Sequence, residues 1–188
     1  MVSASPSAPR GGAFELGAIA IDPSKGKTDQ ADYAAIVFVG LSGRKLWVDA
    51  TIARMPSDRI AAEAIELYRE HLPQVVGMED NANQDLAFGR LVEQEAAERG
   101  LPPLPMCYFP NTERKERRIF HLNPYMKAKQ FRFRPDSAGC RLLESQLRGF
   151  PLKDVHDDGP DALEMAVRLL NELAVGELNT ATEELIEA

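Results

Sequence analysis

Residues 14–23, Phe-Glu-Leu-Gly-Ala-Ile-Ala-Ile-Asp-Pro, constrain the chain more than any other stretch. Leu16 to Ile21 is an unbroken apolar run, which suits a strand covered on both faces better than one with a wet side. Asp22 is the first charge after that run. Pro23 then ends the ladder, because proline has no N–H to donate. The same design returns at Gln74-Val-Val-Gly-Met-Glu79, where a short apolar run again closes on an acid. A carboxylate at the end of a buried strand points to where sheets bind ligands, although an Asp before a loop can also be a plain turn former.

Around these two runs the chain reads as one α/β domain. Its 188 residues are 44% hydrophobic and 27% charged, enough for a sizeable core. Tyr33–Gly40 and Lys45–Thr51, joined through Ser42-Gly43, continue from the first strand as an antiparallel meander. Ser57 is expected to cap a helix running to about His71. After the fourth strand come a helix over about 85–99, closed by Gly100, and a fifth strand at Leu104–Phe109. A helix over about 115–122 follows, then an alternating strand or hairpin arm at Gln130–Arg134. Helices at 138–148 and from Asp158 or Pro160 onward complete the order. Strands alternating with helices over 45–109 imply parallel crossovers. The expected division is a disordered linker or engineered remnant at 1–12, a folded domain at 13–174 and an acidic tail at 175–188. No run is long enough to cross a membrane. Cys107 and Cys140 are too few for a disulfide framework or a metal cluster.

A third acidic group, His156-Asp157-Asp158-Gly-Pro-Asp161, opens the last helix. If the first and fourth strands are neighbours, Asp22 and Glu79 end about 5 Å apart. A helix laid across the sheet can bring Asp158 and Asp161, an i,i+3 pair, beside them. Carboxylates packed so closely repel and raise one another's pKa. Divalent cations remove that penalty, and an all-oxygen set favours Mg²⁺ or Mn²⁺. Two such ions can activate a water and stabilise the leaving oxygen of a phosphodiester. Capping alone would need one acid here, not three.

The net charge of −7 argues against a protein that coats nucleic acid with its whole surface. The positive charge is concentrated instead. Lys115, Arg117, Arg118, Lys127, Lys129, Arg132 and Arg134 form a strip suited to a phosphate backbone, or simply a solvated basic face. Asn81 can orient Glu79 or a water, or cap the next helix. His156 can pass a proton or support a ligand, or pack as an ordinary loop residue.

Together, Ile21-Asp22-Pro23, Asp32-Tyr33-Ala34, Met78-Glu79-Asp80-Asn81, Lys115, Arg118-Ile119, Phe150-Pro151 and His156 through Leu163 resemble the C-terminal nuclease domain of the large terminase subunit of tailed bacteriophages or prophages. The resemblance covers about residues 14–173. It implies a ribonuclease H-like mixed sheet, antiparallel meander plus parallel strands, with helices on both faces. It implies metal-dependent endonucleolytic cutting of concatemeric double-stranded DNA during genome packaging, with little sequence preference. By the family pattern Asp22, Glu79 and Asp158 are metal carboxylates, holding two ions of Mg²⁺ or Mn²⁺. Asp161 falls where some members place a further ligand, and Asp157 is a companion that can assist a metal.

The resemblance also implies partners. These are DNA, a terminase ATPase domain in the full-length protein, the small terminase subunit and the procapsid portal, all in the host bacterial cytoplasm. No Gly-x-x-x-x-Gly-Lys-Ser/Thr loop is present in this chain. A Holliday-junction resolvase or exonuclease on the same fold, and a non-catalytic domain that docks on DNA or portal, are the alternatives.

Overall fold

The computed structural model describes residues 14–23, 33–80, 83–110, 112–152 and 154–176. Asn81, the expected linker at 1–12 and all but the first residues of the expected tail lie outside them. The elements are β1 (Leu16–Asp22), β2 (Ala34–Ser42), β3 (Lys45–Ala53), α1 (Ser57–His71), β4 (Val75–Glu79), α2 (Asn83–Glu98), β5 (Met106–Phe109), α3 (Lys115–Phe120), α4 (Asn123–Lys127), β6 (Phe131–Phe133), α5 (Ala138–Gly149) and α6 (Asp158–Val175).

The six strands form one sheet in the order β5-β4-β1-β2-β3-β6. β1, β2 and β3 make the expected antiparallel meander, while β4 pairs parallel to β1 and β5 parallel to β4. The α1 crossover therefore passes over two strands, from β3 to β4, rather than joining neighbours. This is the ribonuclease H-like mixed sheet that the resemblance implies.

Alternation sorts the side chains into two cores. Ile19, Ile21, Ile36, Phe38 and Met78 pack under Ile60, Ala64 and Ile65 of α1 and Val92 of α2. Ala18, Ala20, Val37, Val48 and Ala50 pack under Leu143 of α5 and Leu163, Ala166 and Leu169 of α6. The small residues of β1 let α6 lie close to the sheet. Gly77 lets it lie closer still, since a Cβ there would run into the Leu169 side chain.

One local expectation changes and another is narrowed. Pro56, not Ser57, is the N-cap residue of α1, and no side chain caps that end. Of the two readings of Gln130–Arg134, strand or hairpin arm, the strand is the one found. β6 has three residues, pairs in parallel with β3 alone and forms the sheet edge.

Candidate metal centre

The register of the two central strands places the first two acids. Ile21 pairs with Met78 across the parallel β1–β4 ladder, so the next residue on each strand, Asp22 and Glu79, ends its strand at the same level. Ile21 and Met78 share the core under α1. By alternation Asp22 and Glu79 turn to the other face, under α6.

The start of α6 delivers the remaining acids. Asp157 occupies the N-cap position, yet its side chain makes no capping hydrogen bond. Asp158 and Asp161 follow in the first turn. The acids are therefore at a helix N-terminus, where the dipole favours negative charge, without being used to cap it.

These carboxylates surround one cation. Lys115 Nζ, from the start of α3, lies 2.9 Å from Asp157 Oδ1, 3.3 Å from Asp158 Oδ1, 3.6 Å from Asp161 Oδ2 and 4.0 Å from Asp22 Oδ2. Burial first, and then the charges of Asp161, Asp158 and Glu79, push the Asp22 carboxyl up to about 7 against the opposing pull of Lys115. Burial alone would lower Lys115, but Asp22, Asp157, Asp161 and Asp158 outweigh it and hold the ammonium above its ordinary range. The cluster has more negative charge than one ammonium satisfies, which is the condition a divalent cation relieves. Apart from the Lys115 and Arg118 nitrogens the donors are all carboxylate oxygens, and they fit a divalent cation.

The basic strip divides. Arg117, Lys127 and Lys129 are exposed. Arg118 is buried, and its Nη2 donates to both Asp161 oxygens at 2.6 and 2.8 Å. Arg132 Nη1 donates to the carbonyls of Lys129 and Phe131. Arg134 Nη1 donates to Asp49 and Glu70, each at 2.7 Å. Arg118 and Arg134 thus pair with carboxylates of the chain itself, whereas the exposed members of the strip have their charges in solvent. β6 pairs with Leu46–Val48, at the start of β3, whereas Asp22 aligns through Ala35 with Ile52 near its end. That offset puts Arg132 and Arg134 roughly 20 Å from Asp22. His156 is exposed and sets its ring edge-on to Tyr33, 4.9 Å between centroids.

Sequence reasoning missed two acids. Asp49, 6% exposed, accepts from the Ala50 N–H at 2.9 Å and lies 3.0 Å from His71 Nε2. His71 stacks on Phe38 with ring centroids 4.0 Å apart. Asp49, Glu70 and His71 are, among the described residues, the group of potential ligands whose atoms lie within 4.8 Å of one another. They sit on the α1 face, away from Asp22, and Arg134 already bridges both acids. Glu164, also buried, continues the 158–161 spacing by one more step, and that periodicity was available in the sequence.

Comparison with known proteins agrees with this fold. Residues 19–170 match the family profile described as the terminase RNaseH-like domain. No curated protein matches the sequence. Among solved structures, the manganese-soaked, inhibitor-bound terminase nuclease domain of human cytomegalovirus aligns over 89% of this chain and 88% of its own, with TM-score 0.61 and 14% identity. The cobalt-bound large terminase nuclease of thermophilic phage G20c aligns over 81% and 80%, with TM-score 0.56 and 16% identity. A mutant nuclease domain of the large terminase subunit of bacterial virus Sf6, with manganese and beta-thujaplicinol, aligns over 82% and 88%, with TM-score 0.55 and 12% identity.

Proposed function

This chain belongs to the family of terminase RNaseH-like domains, and on that premise we propose that it is a metal-dependent endonuclease that cuts concatemeric double-stranded DNA during viral genome packaging. The observation that carries the reading is the gathering of Asp22, Asp157, Asp158 and Asp161 around one ammonium, with Glu79 level with Asp22 on the neighbouring strand. The metal-soaked and metal-bound relatives support the choice of cofactor.

In this reading Asp22, Glu79 and Asp158 hold two Mg²⁺ or Mn²⁺ ions, with Asp157 close enough to assist. Bound there, such ions would lower the pKa of a water so that it can attack phosphorus once deprotonated, and would act as a Lewis acid for the leaving oxygen. The protein supplies the rest. The rigid ends of β1 and β4 fix the first two carboxylates, and the first turn of α6 fixes the third. Asp22, with its carboxyl raised to about 7, would have to give up its proton to hold a cation, which would link metal binding to pH. Lys115 balances the acids beforehand and stands at the rim, where it and exposed Arg117 can meet a phosphate. Lys127 and Lys129 extend that exposed positive surface. Contacts of this kind follow the backbone and read no bases, which gives cutting with little sequence preference.

The family match supports the rest of the proposal: a domain that works beside a terminase ATPase domain, with the small terminase subunit and the procapsid portal as partners, in the cytoplasm of a host bacterium.

The test is incubation with supercoiled plasmid and Mn²⁺ or Mg²⁺, with and without chelator, beside Asp22→Asn and Glu79→Gln. Metal-dependent nicking and linearisation, lost in both variants, is the expected result. Cutting that survives both substitutions overturns the reading. Selective cleavage of four-way junctions would move the protein to the resolvases.

A further inference from the structure

The two helices beside the metal centre carry opposite charges at matched spacing. Lys115, Arg118 and His121 run along α3 and its C-cap, and Asp158, Asp161 and Glu164 run along α6. They meet as three rungs. Lys115 Nζ lies 3.3 Å from Asp158, Arg118 Nη2 lies 2.6 Å from Asp161, and His121 Nδ1 lies 3.7 Å from Glu164.

The rungs differ in burial. Lys115 and Asp158 keep 31% and 13% of their side-chain exposure, whereas Arg118 and Asp161 keep 6% and 4%. Both oxygens of Asp161 accept from Arg118. Arg118 Nε lies 4.0 Å from Glu164 Oε2, and neither of those buried atoms has a hydrogen-bond partner among the described residues. Glu164 thus stands beside the guanidinium without a hydrogen bond to it, and Asp161 is the acid that holds it.

We propose that Asp161 is withheld from the metals by Arg118. It is a positioning residue that locks α3 to the first turn of α6, and the metal-binding carboxylates are Asp22, Glu79 and Asp158. Spacing alone puts Asp158 and Asp161 on one helical face and makes both look like ligands. The guanidinium intercepts the second. For Asp161 to turn to an ion it would have to give up both short bonds to a buried guanidinium, leaving Arg118 with the Glu113 carbonyl at 3.4 Å and Glu164 at 4.0 Å, a poorer set of partners in a dry site. Asp158 faces no such obstacle, because its partner is a lysine, one-third exposed, with rotational freedom.

The inference rests on the reading that this site binds divalent ions, and the test separates the two. Mn²⁺ binding to the DNA-free protein is measured by calorimetry for the wild type, Asp22→Asn, Asp161→Asn and the double variant Arg118→Gln/Asp161→Asn. Asp161→Asn strands a buried cation near the site and should weaken Mn²⁺ binding about tenfold. The double variant removes both charges with similar shape and should bind within about twofold of wild type.

A double variant as weak as Asp161→Asn makes Asp161 a direct ligand and overturns the inference while the metal reading stands. Asp161→Asn binding like the wild type overturns the positioning role. A wild type that binds no Mn²⁺ removes the metal reading itself, and the inference with it. If Asp161→Asn alone does not fold, the double variant still decides.

Discussion

The two faces of the sheet each carry a cluster of acids around a basic partner, and the clusters behave in opposite ways. On the α1 face, Asp49 is held by an N–H, a guanidinium and an imidazole within 2.7 to 3.0 Å. Burial would raise it, but the bonds from His71 and Arg134 outweigh burial and keep its carboxyl below the usual range. On the α6 face, Asp22 has an ammonium at 4.0 Å and like charges around it, and its carboxyl rises to about 7. A cluster whose charges are all answered is a fastening. One left with surplus negative charge is ready for a guest. Ligand-like residues in proximity do not tell these apart, but the state of their hydrogen bonds does.

The largest effect should come from breaking the α6-face cluster. Asp22→Asn or Glu79→Gln should lower plasmid cutting by at least about 100-fold, whereas Asp49→Asn should leave it within a few-fold once the protein is folded. An Asp49 variant that folds and does not cut would erase the distinction.

Next in size is stability. Asp49→Ala strands Arg134 and His71 and should cost about 2 kcal/mol in urea unfolding, less than a fully buried pair because Arg134 is one-third exposed. Asp22→Ala, measured without metal, should cost less or stabilise.

The pH dependence should then show opposite slopes. Asp22 has a folded pKa above its unfolded value, so its contribution is present at low pH and is lost as pH rises through about 7. Metal-free wild type should lose about 1 kcal/mol relative to Asp22→Asn between pH 6 and 8. Asp49 has a folded pKa below its unfolded value, so its contribution is present at neutral pH and is lost as the solution is acidified through that lowered value. Thermal melts of Asp49→Asn should therefore be flatter than wild type on the acid side only.

The smallest effect concerns DNA. Arg117→Gln, on an exposed side chain, should weaken binding a few-fold and lower the salt dependence by about one counterion. Arg134→Gln should leave that slope unchanged, since its guanidinium is engaged on the other face.

Much of the candidate centre was legible before any coordinates. Apolar runs that stop at an acid located Asp22 and Glu79, because burial on both faces removes polar residues until the strand ends. The acids of 157–161 stood out because a helix start needs one. What could not be read was long-range pairing. Asp49 and Arg134 meet across 85 positions, and nothing local marks either. Arg118 looked like its exposed neighbour Arg117, and only the packing of α3 on α6 turns one inward and leaves the other in water. The short β6 alternates as a hairpin arm would, but alternation does not say which strand it joins.

β1 and β4 occupy the interior of the sheet, each hydrogen-bonded on both sides. Their amides should be among the last to exchange with deuterium, surviving the fraying that opens β5 or β6. The cutting apparatus therefore inherits the endurance of the sheet's middle. Heat or denaturant should leave the two strand carboxylates in place until the whole domain comes apart, so any earlier loss of activity would come from the first turn of α6, the one part of the blade not forged into the sheet.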